Sequence, residues 1–338
     1  MARAKKSKSL SEAVSSEIRS KFNLDGFKTK KGLTSKAKFK EQTWIPLSEA
    51  YQEVTSVPGI PQGHIVLLRG HSDTGKTTAL LEAAVSAQKR GILPVFIITE
   101  MKWNWEHAMQ MGLEVNEVID EETGEVVDYN GQFLYVDRET IHSIEDVAGF
   151  ILDLLDEQRK GDLPYDLLFL WDSIGSVPCE MSIKSNKNNN EWNAGAMSTQ
   201  FGNSVNQRIV LSRKESSPHI NTLVCINKVW TAKAESPMGK PKLMNKGGFA
   251  MWFDSTFVVT FAKRVNVQID KNHINGMTTR GKIVMTPHGF ILDDDKDLKK
   301  YKDDHTEEWA AILGGGDFSI VEEEQNYEDI SSHTGEPE

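Results

Sequence analysis

The residues most able to do chemistry sit together in RGHSDTGKTT, residues 69–78. Gly70, Gly75, Lys76 and Thr77 fit the spacing G-x-x-x-x-G-K-S/T, with an apolar run before the loop and an alanine- and leucine-rich stretch after it. A glycine-rich turn in that setting lets backbone N–H groups converge on phosphate oxygens, with His71, Ser72, Asp73, Thr74 and Thr78 completing the cradle, and the following helix adds the positive end of its dipole. Lys76 would reach the β and γ phosphates of a nucleotide, and Thr77 would ligate Mg²⁺. Such a loop needs an acid at the end of a neighbouring strand to hold the metal shell, and Asp172 follows Leu167, Leu168, Phe169, Leu170 and Trp171. A turn cap is the ordinary alternative for an Asp-Ser pair. Hydrolysis also needs a group that orients and deprotonates water, and Glu100 closes the run Val95 to Thr99.

The elements that would position these groups are legible as short apolar runs: 65–68, 94–99, 133–136, 166–171 and 221–227. Between them, helices are expected at 77–90, closed by Gly91, and at 144–158, where Ile144, Val147, Ile151 and Leu155 share a face. Strands apolar on both faces and separated by helices predict an α/β fold with a mostly parallel twisted sheet flanked by helices. Further β signal covers 253–263, and a hairpin is expected about Asn275-Gly276, between 267–269 and 282–285, as a C-terminal extension of the sheet. Beyond residue 293 little order is expected, apart from a short element near 309–313.

With 38% hydrophobic residues, no apolar run reaches the length of a membrane span. The basic start lacks the apolar core of a signal peptide, so no membrane association and a cytoplasmic location are expected. Cys179 and Cys225 form no ligand-like spacing. The net charge of −10 is polarised: residues 1–40 carry twelve Lys/Arg against three acids, and residues 303–338 carry twelve Asp/Glu and no Lys or Arg. Leu10, Val14, Ile18 and Phe22 would make one apolar stripe on a short helix, seeking the chain's own core or a neighbouring subunit. The expected organisation is a basic arm at 1–43 that could dock a subunit, a core at 44–292, and a largely flexible acidic tail at 293–338.

The order of motifs resembles the RecA family of DNA strand-exchange ATPases. The resemblance rests on PGIPQGHI at 58–65 before the phosphate loop, Glu100, LWDS at 170–173, Ile226-Asn227-Lys228, and KGGFA at 246–250. Within that family it looks most like the phage UvsX branch, which for a phage-encoded chain means the host cytoplasm.

The resemblance implies ATP and Mg²⁺ as cofactors, and Asn227 as a polar sensor of the γ-phosphate. It implies partners in single-stranded and duplex DNA, a helical homo-oligomeric filament, and a possible mediator or single-strand-binding protein. Asn104 and His107 fall at the family's adenine contacts. DNA contacts would come from a polar loop near 183–193 containing Trp192, from Arg208, and from a second loop at 231–248 with Lys233, Lys240, Lys242, Lys246, Gly247 and Gly248. Where the family places two lysines that reach a neighbour's ATP, this chain has Met285 and Pro287, leaving Arg280, Lys282, Lys263 and Arg264 as candidates. A ring helicase on the same core and a non-catalytic nucleotide-binding scaffold are the competing readings.

Overall fold

The computed structural model describes residues 38–187, 189–232, 242–245, 250–262 and 266–306. The basic stretch 1–37, Lys233, Lys240, Lys246, Gly247, Gly248, Lys263, Arg264 and the acidic stretch from 307 onward lie outside the described residues.

The chain opens with β1 (Trp44–Pro46), α1 (Glu49–Thr55) and β2 (Gly59–Pro61), and β1 pairs antiparallel with β2. Next come β3 (Ile65–Gly70), α2 (Lys76–Gln88), β4 (Leu93–Ile98), α3 (Trp105–Gln110), β5 (Asn116–Ile119), β6 (Val126–Asn130), β7 (Leu134–Asp137), α4 (Ile144–Lys160) and β8 (Leu167–Asp172). After a single 3₁₀ turn follow α5 (Glu180–Ser185), α6 (Asn190–Met197), a π-helical stretch (Ser198–Val205) and α7 (Asn206–Leu211). The second half adds β9 (Thr222–Ala232), β10 (Lys242–Asn245), α8 (Ala250–Asp254), β11 (Phe257–Ala262), β12 (Asn266–Asn272), β13 (Arg280–Thr286), β14 (Gly289–Leu292) and α9 (Asp295–Asp304).

The main sheet runs β14-β13-β12-β11-β3-β9-β8-β4-β7, with β10 paired to β9 beside this path. The segment from β11 to β7 is parallel, and β12, β13 and β14 extend it antiparallel. The expected fold class and the hairpin extension are therefore both present. Alternation along the central strands explains the layering. Val66, Leu68, Phe96, Ile98, Leu168, Leu170, Val224 and Ile226 face α2, while Ile65, Leu67, Val95, Ile97, Phe169, Trp171, Leu223 and Cys225 face α4 and Phe201. A capping box starts α4, in which the Ser143 hydroxyl accepts from Asp146 N and the Asp146 carboxylate accepts from Ser143 N.

Three expectations are corrected. The β signal over 253–263 divides into α8 and β11, because Met251 turns into the core one helical turn before Ser255, whose hydroxyl donates to the Met251 carbonyl. The polar stretch expected to be a flexible loop is largely helical, in α5 and α6, where Asn189 caps α6 by accepting from Glu191 N and Trp192 N. Residues 295–304, within the stretch expected to be largely flexible, form α9, capped by Asp294 and carrying a buried Tyr301.

Candidate nucleotide site

At the C-terminal ends of β3, β4 and β8, beside the middle of β9, the sheet opens into a cavity of about 240 Å³. Ser72, Asp73, Lys76, Thr77, Glu100, Lys102, Asp172 and Lys228 bring its polar groups together. Strand ends of a parallel sheet are where ligands bind in folds of this class.

The loop geometry explains its glycines. A Cβ on Gly70 would lie 2.1 Å from the Phe261 carbonyl oxygen, so no side chain fits where β3 gives way to the loop. Gly75 begins α2 at φ +94°, a left-handed conformation that releases the turn into the helix. The Lys76 ammonium donates to the His71 carbonyl and lies 3.4 Å from Thr74 Oγ1, folded back on its own loop. Burial lowers its pKa to about 8, against the pull of Asp172.

Thr77 Oγ1 donates to Asp172 Oδ2 at 2.9 Å. Burial raises the Asp172 pKa to about 6, opposed by that hydrogen bond. Two hard oxygens side by side suit Mg²⁺, which keeps most of its waters and takes few protein ligands. A carboxylate this desolvated, with its shift upward despite the pull of Lys76 and Lys228, gains from such a charge. The donor set and the cradle therefore fit a magnesium-bound polyphosphate.

Glu100 is held on both oxygens. Ser173 Oγ donates to Oε1, and Lys228 Nζ donates to Oε2 at 2.7 Å. Burial pushes this carboxyl upward, but the bonds from Lys228 and Ser173 outweigh it and leave the group below the usual carboxylate range. The backbone fixes the pair, because Glu100 N donates to Asp172 O at 3.2 Å and Lys228 lies opposite Gly70 in the β3–β9 register.

The remaining expected site residues lie elsewhere. Asn227 points away from the cavity, and its buried Oδ1 has no hydrogen-bond partner. Asn104 caps α3 by accepting from His107 N, and neither residue lines the cavity. Burial, with His288 nearby, lowers the His107 pKa. Trp192 is half-buried against the core beside α4. Arg208 pairs with Asp156 at 2.6 Å and donates to the Leu152 carbonyl, which ties α7 to α4. Lys242 begins β10, opposite Ala232 in a ladder that brackets residues 233–241. Arg280 and Lys282 line a separate open cavity with Thr260 and Gln268.

Lys102 and Lys228 are polar cavity residues that the sequence did not single out; for Lys228 a signal was present. The available signal was strand alternation, which puts Ile226 and Lys228 on one face and Asn227 on the other. Trp230, on the same strand and 55% exposed, was passed over as well.

Residues 9–131 match the family model of the RecA N-terminal domain. Protein RecA of Aquifex aeolicus (strain VF5) is 33% identical over 111 residues, covering 33% of this chain and 31% of that protein. Over that stretch the chain is similar to the RecA N-terminal domain. Protein RecA of Mesomycoplasma hyopneumoniae (strain J) is 29% identical over 112 residues, 33% of this chain and 32% of the relative. Protein RecA of Streptomyces coelicolor is 35% identical over 72 residues, 21% and 19% respectively. The chain thus spans about a third or less of these RecA relatives' length. The RecA-like match covers the phosphate loop and Glu100 but stops before Asp172 and Lys228. No helix among the described residues is long and apolar enough to cross a membrane.

Proposed function

We propose that this chain is an ATP-dependent DNA recombinase that assembles on single-stranded DNA as a helical filament and pairs it with homologous duplex. The observation that carries the ATPase part is the meeting of Lys76, Thr77, Asp172 and Glu100 in one cavity at the sheet's C-terminal edge. Lys76 would hold the terminal phosphates, while Thr77 and Asp172 would hold Mg²⁺, which when bound neutralises charge on the phosphate oxygens. Glu100 would orient a water and take its proton as the water oxygen bonds to the γ-phosphorus and the bond to the β-phosphate oxygen breaks, giving ADP and phosphate. Asn227 Oδ1, a buried acceptor without a donor, is suited to a bound water.

The DNA part rests on resemblance and composition. Lys233, Lys240, Lys242 and Lys246 of the stretch 231–248 could neutralise phosphates, and exposed Trp230 could stack on a base. Arg208 and Trp192 have folded-state partners and are weaker candidates. The basic arm at 1–43 is assigned to docking on a neighbouring subunit, and the acidic tail at 293–338 to modulating the DNA site. The Asp-Ser-Ile-Gly stretch at 172–175 and the acidic residues of 303–338 favour the phage UvsX type, acting in the cytoplasm with a possible mediator.

Electron microscopy with single-stranded DNA and a non-hydrolysable ATP analogue tests this reading. Helical filaments are expected. Closed hexamers would favour a ring helicase, and no DNA-dependent assembly would favour a non-catalytic scaffold.

A further inference from the structure

Arg69, the last side chain before Gly70 opens the phosphate loop, is held on three sides. It lies opposite Thr260 in the β3–β11 register, where its Nε donates to Thr260 Oγ1 at 2.7 Å and its Nη2 donates to Asp270 Oδ2 at 3.1 Å. A β-bulge supplies Asp270: Val258 pairs with Lys271 and Val259 with Ile269, so Asp270 is the extra residue and its side chain is re-aimed. Gln268 Nε2 donates to the other carboxylate oxygen at 2.9 Å, and the arginine and aspartate side chains are only 12% and 14% exposed. On its third side the guanidinium stacks on Trp252, with Cζ 4.1 Å from the ring centroid. Trp252 belongs to α8, which the chain enters directly from residues 246–249, the stretch that the resemblance assigns to DNA. This helix is held lightly. Met251 is its one buried side chain among those described, Trp252 is half-buried, and Lys271 Nζ donates to the Trp252 and Phe253 carbonyls at 3.0 and 2.9 Å.

From this geometry we infer that the stack of Arg69 on Trp252 is the joint that registers α8, and with it the stretch 246–249, to the phosphate loop, so that nucleotide in the loop and DNA on that stretch favour one another. This rests on the reading of the chain as a DNA-coupled ATPase and assigns side chains to the coupling. Gly70 packs so closely on the Phe261 carbonyl that a shift at the root of the loop passes to Arg69 rather than being absorbed between the strands. Thr260 and Asp270 satisfy the guanidinium from neighbouring strands of the same sheet, and an arginine that only braced the sheet would need no more than these. The contact with Trp252 is the one that reaches outside the sheet. Two sites are coupled when an element between them has two arrangements that the ligands prefer differently, and a short helix with one buried side chain is drawn from the part of a fold that opens most readily. Arg69 and Trp252 are positioning residues on this account, and neither lines the nucleotide cavity.

The test reads coupling apart from either affinity. Labelled oligothymidylate is titrated with the full chain, with and without a saturating non-hydrolysable ATP analogue and Mg²⁺, and a fluorescent form of the analogue is titrated with and without saturating oligothymidylate. Both titrations must return the same coupling factor, because linkage is reciprocal. Thermal melting of each variant checks the fold. Trp252→Leu, which removes the ring and keeps apolar bulk, should bind each ligand alone as the unaltered chain does and lose about fivefold of the factor, the size of one cation–π contact, and Trp252→Phe should restore part of it. Arg69→Lys keeps a charge for Asp270 without the planar fork and should lose a similar share, while Arg69→Lys/Trp252→Leu should lose no more than either single variant, since both remove one contact. An unchanged factor in folded Trp252→Leu, DNA affinity weakened without nucleotide, or losses that add in the double variant would overturn the inference, as would a factor of one in an unaltered chain that binds both ligands. Failure of the unaltered chain to bind oligothymidylate or nucleotide would instead overturn the recombinase reading, and the inference with it.

Discussion

The two ends of the parallel sheet are built from similar strands but treat polar groups in opposite ways. At the N-terminal ends, neutral groups satisfy one another. Asn221 Oδ1 accepts from Leu167 N at 3.1 Å and from Gln158 Nε2 at 2.9 Å, Asn221 Nδ2 donates to Gln158 Oε1 at 2.7 Å, and His64 Nε2 lies 2.9 Å from Gln42 Oε1. At the C-terminal ends, charges are buried in excess of their partners. Asp172 is pushed up to about 6, Lys76 is pulled down to about 8, and Asn227 Oδ1 is left without a donor. The first end holds the fold closed. The second keeps charges that a magnesium-bound polyphosphate would satisfy, a cost tolerated where binding restores it.

The largest expected effects break the C-terminal end. Glu100→Gln should lower ATP turnover by about 10²–10⁴-fold while nucleotide binding persists. Lys76→Ala should lower it by roughly 10²–10³-fold through lost phosphate contact. Because Lys76 is desolvated, its removal should leave the melting temperature unchanged or raised, which calorimetry alongside a phosphate-release assay can check.

The N-terminal end should respond in the opposite sense. Asn221→Ala strands the Leu167 N–H and the Gln158 amide in the core, and should cost about 2–3 kcal/mol in urea unfolding while nucleotide affinity in the folded fraction stays the same.

His64 makes the same end sensitive to pH. Burial, with Arg213 second, lowers its pKa to about 4. Below pH 6.5 the unfolded chain takes up a proton there that the folded chain refuses until about pH 4. Stability present above 6.5 is therefore lost as pH falls through that window, by about 3 kcal/mol in all. Urea midpoints at several pH values should show this slope, and His64→Gln should remove it.

The smallest expected effect concerns Arg208. Its pairing with Asp156 predicts that Arg208→Ala costs at most about 1 kcal/mol of stability and leaves the salt slope of single-stranded DNA binding unchanged. A slope reduced by about one would return Arg208 to the DNA surface.

The difference between the ends also explains what could be read from the sequence. β3, β4 and β8 are apolar on both faces, so their runs stood out, and the residues that close them, Gly70, Glu100 and Asp172, followed directly. Lys228 did not, because β9 runs through the site to Ala232 and leaves no strand end to mark the functional position. Only its alternation, once the cavity face is known, separates Lys228 from Asn227. The helix α9 was hidden by composition, since DKDLKKYKDD offers only Leu298 and Tyr301 as an apolar spacing. The hairpin β5–β6 carries Glu117, Asp120, Glu121, Glu122, Glu125 and Asp128 and buries too little to leave a pattern. At the loops expected to meet DNA, composition alone did not separate Trp192, which packs on the core, from Trp230, which is exposed.

The central claim is that the charged end of the sheet is an ATPase coupled to DNA. The most direct measurement is the rate of phosphate release by the full chain with Mg²⁺ and ATP, compared without DNA, with single-stranded DNA and with duplex of equal nucleotide concentration. The account predicts little turnover without DNA, strong stimulation by single strands and weaker stimulation by duplex, all abolished in Glu100→Gln. Turnover that is the same under all three conditions would contradict it.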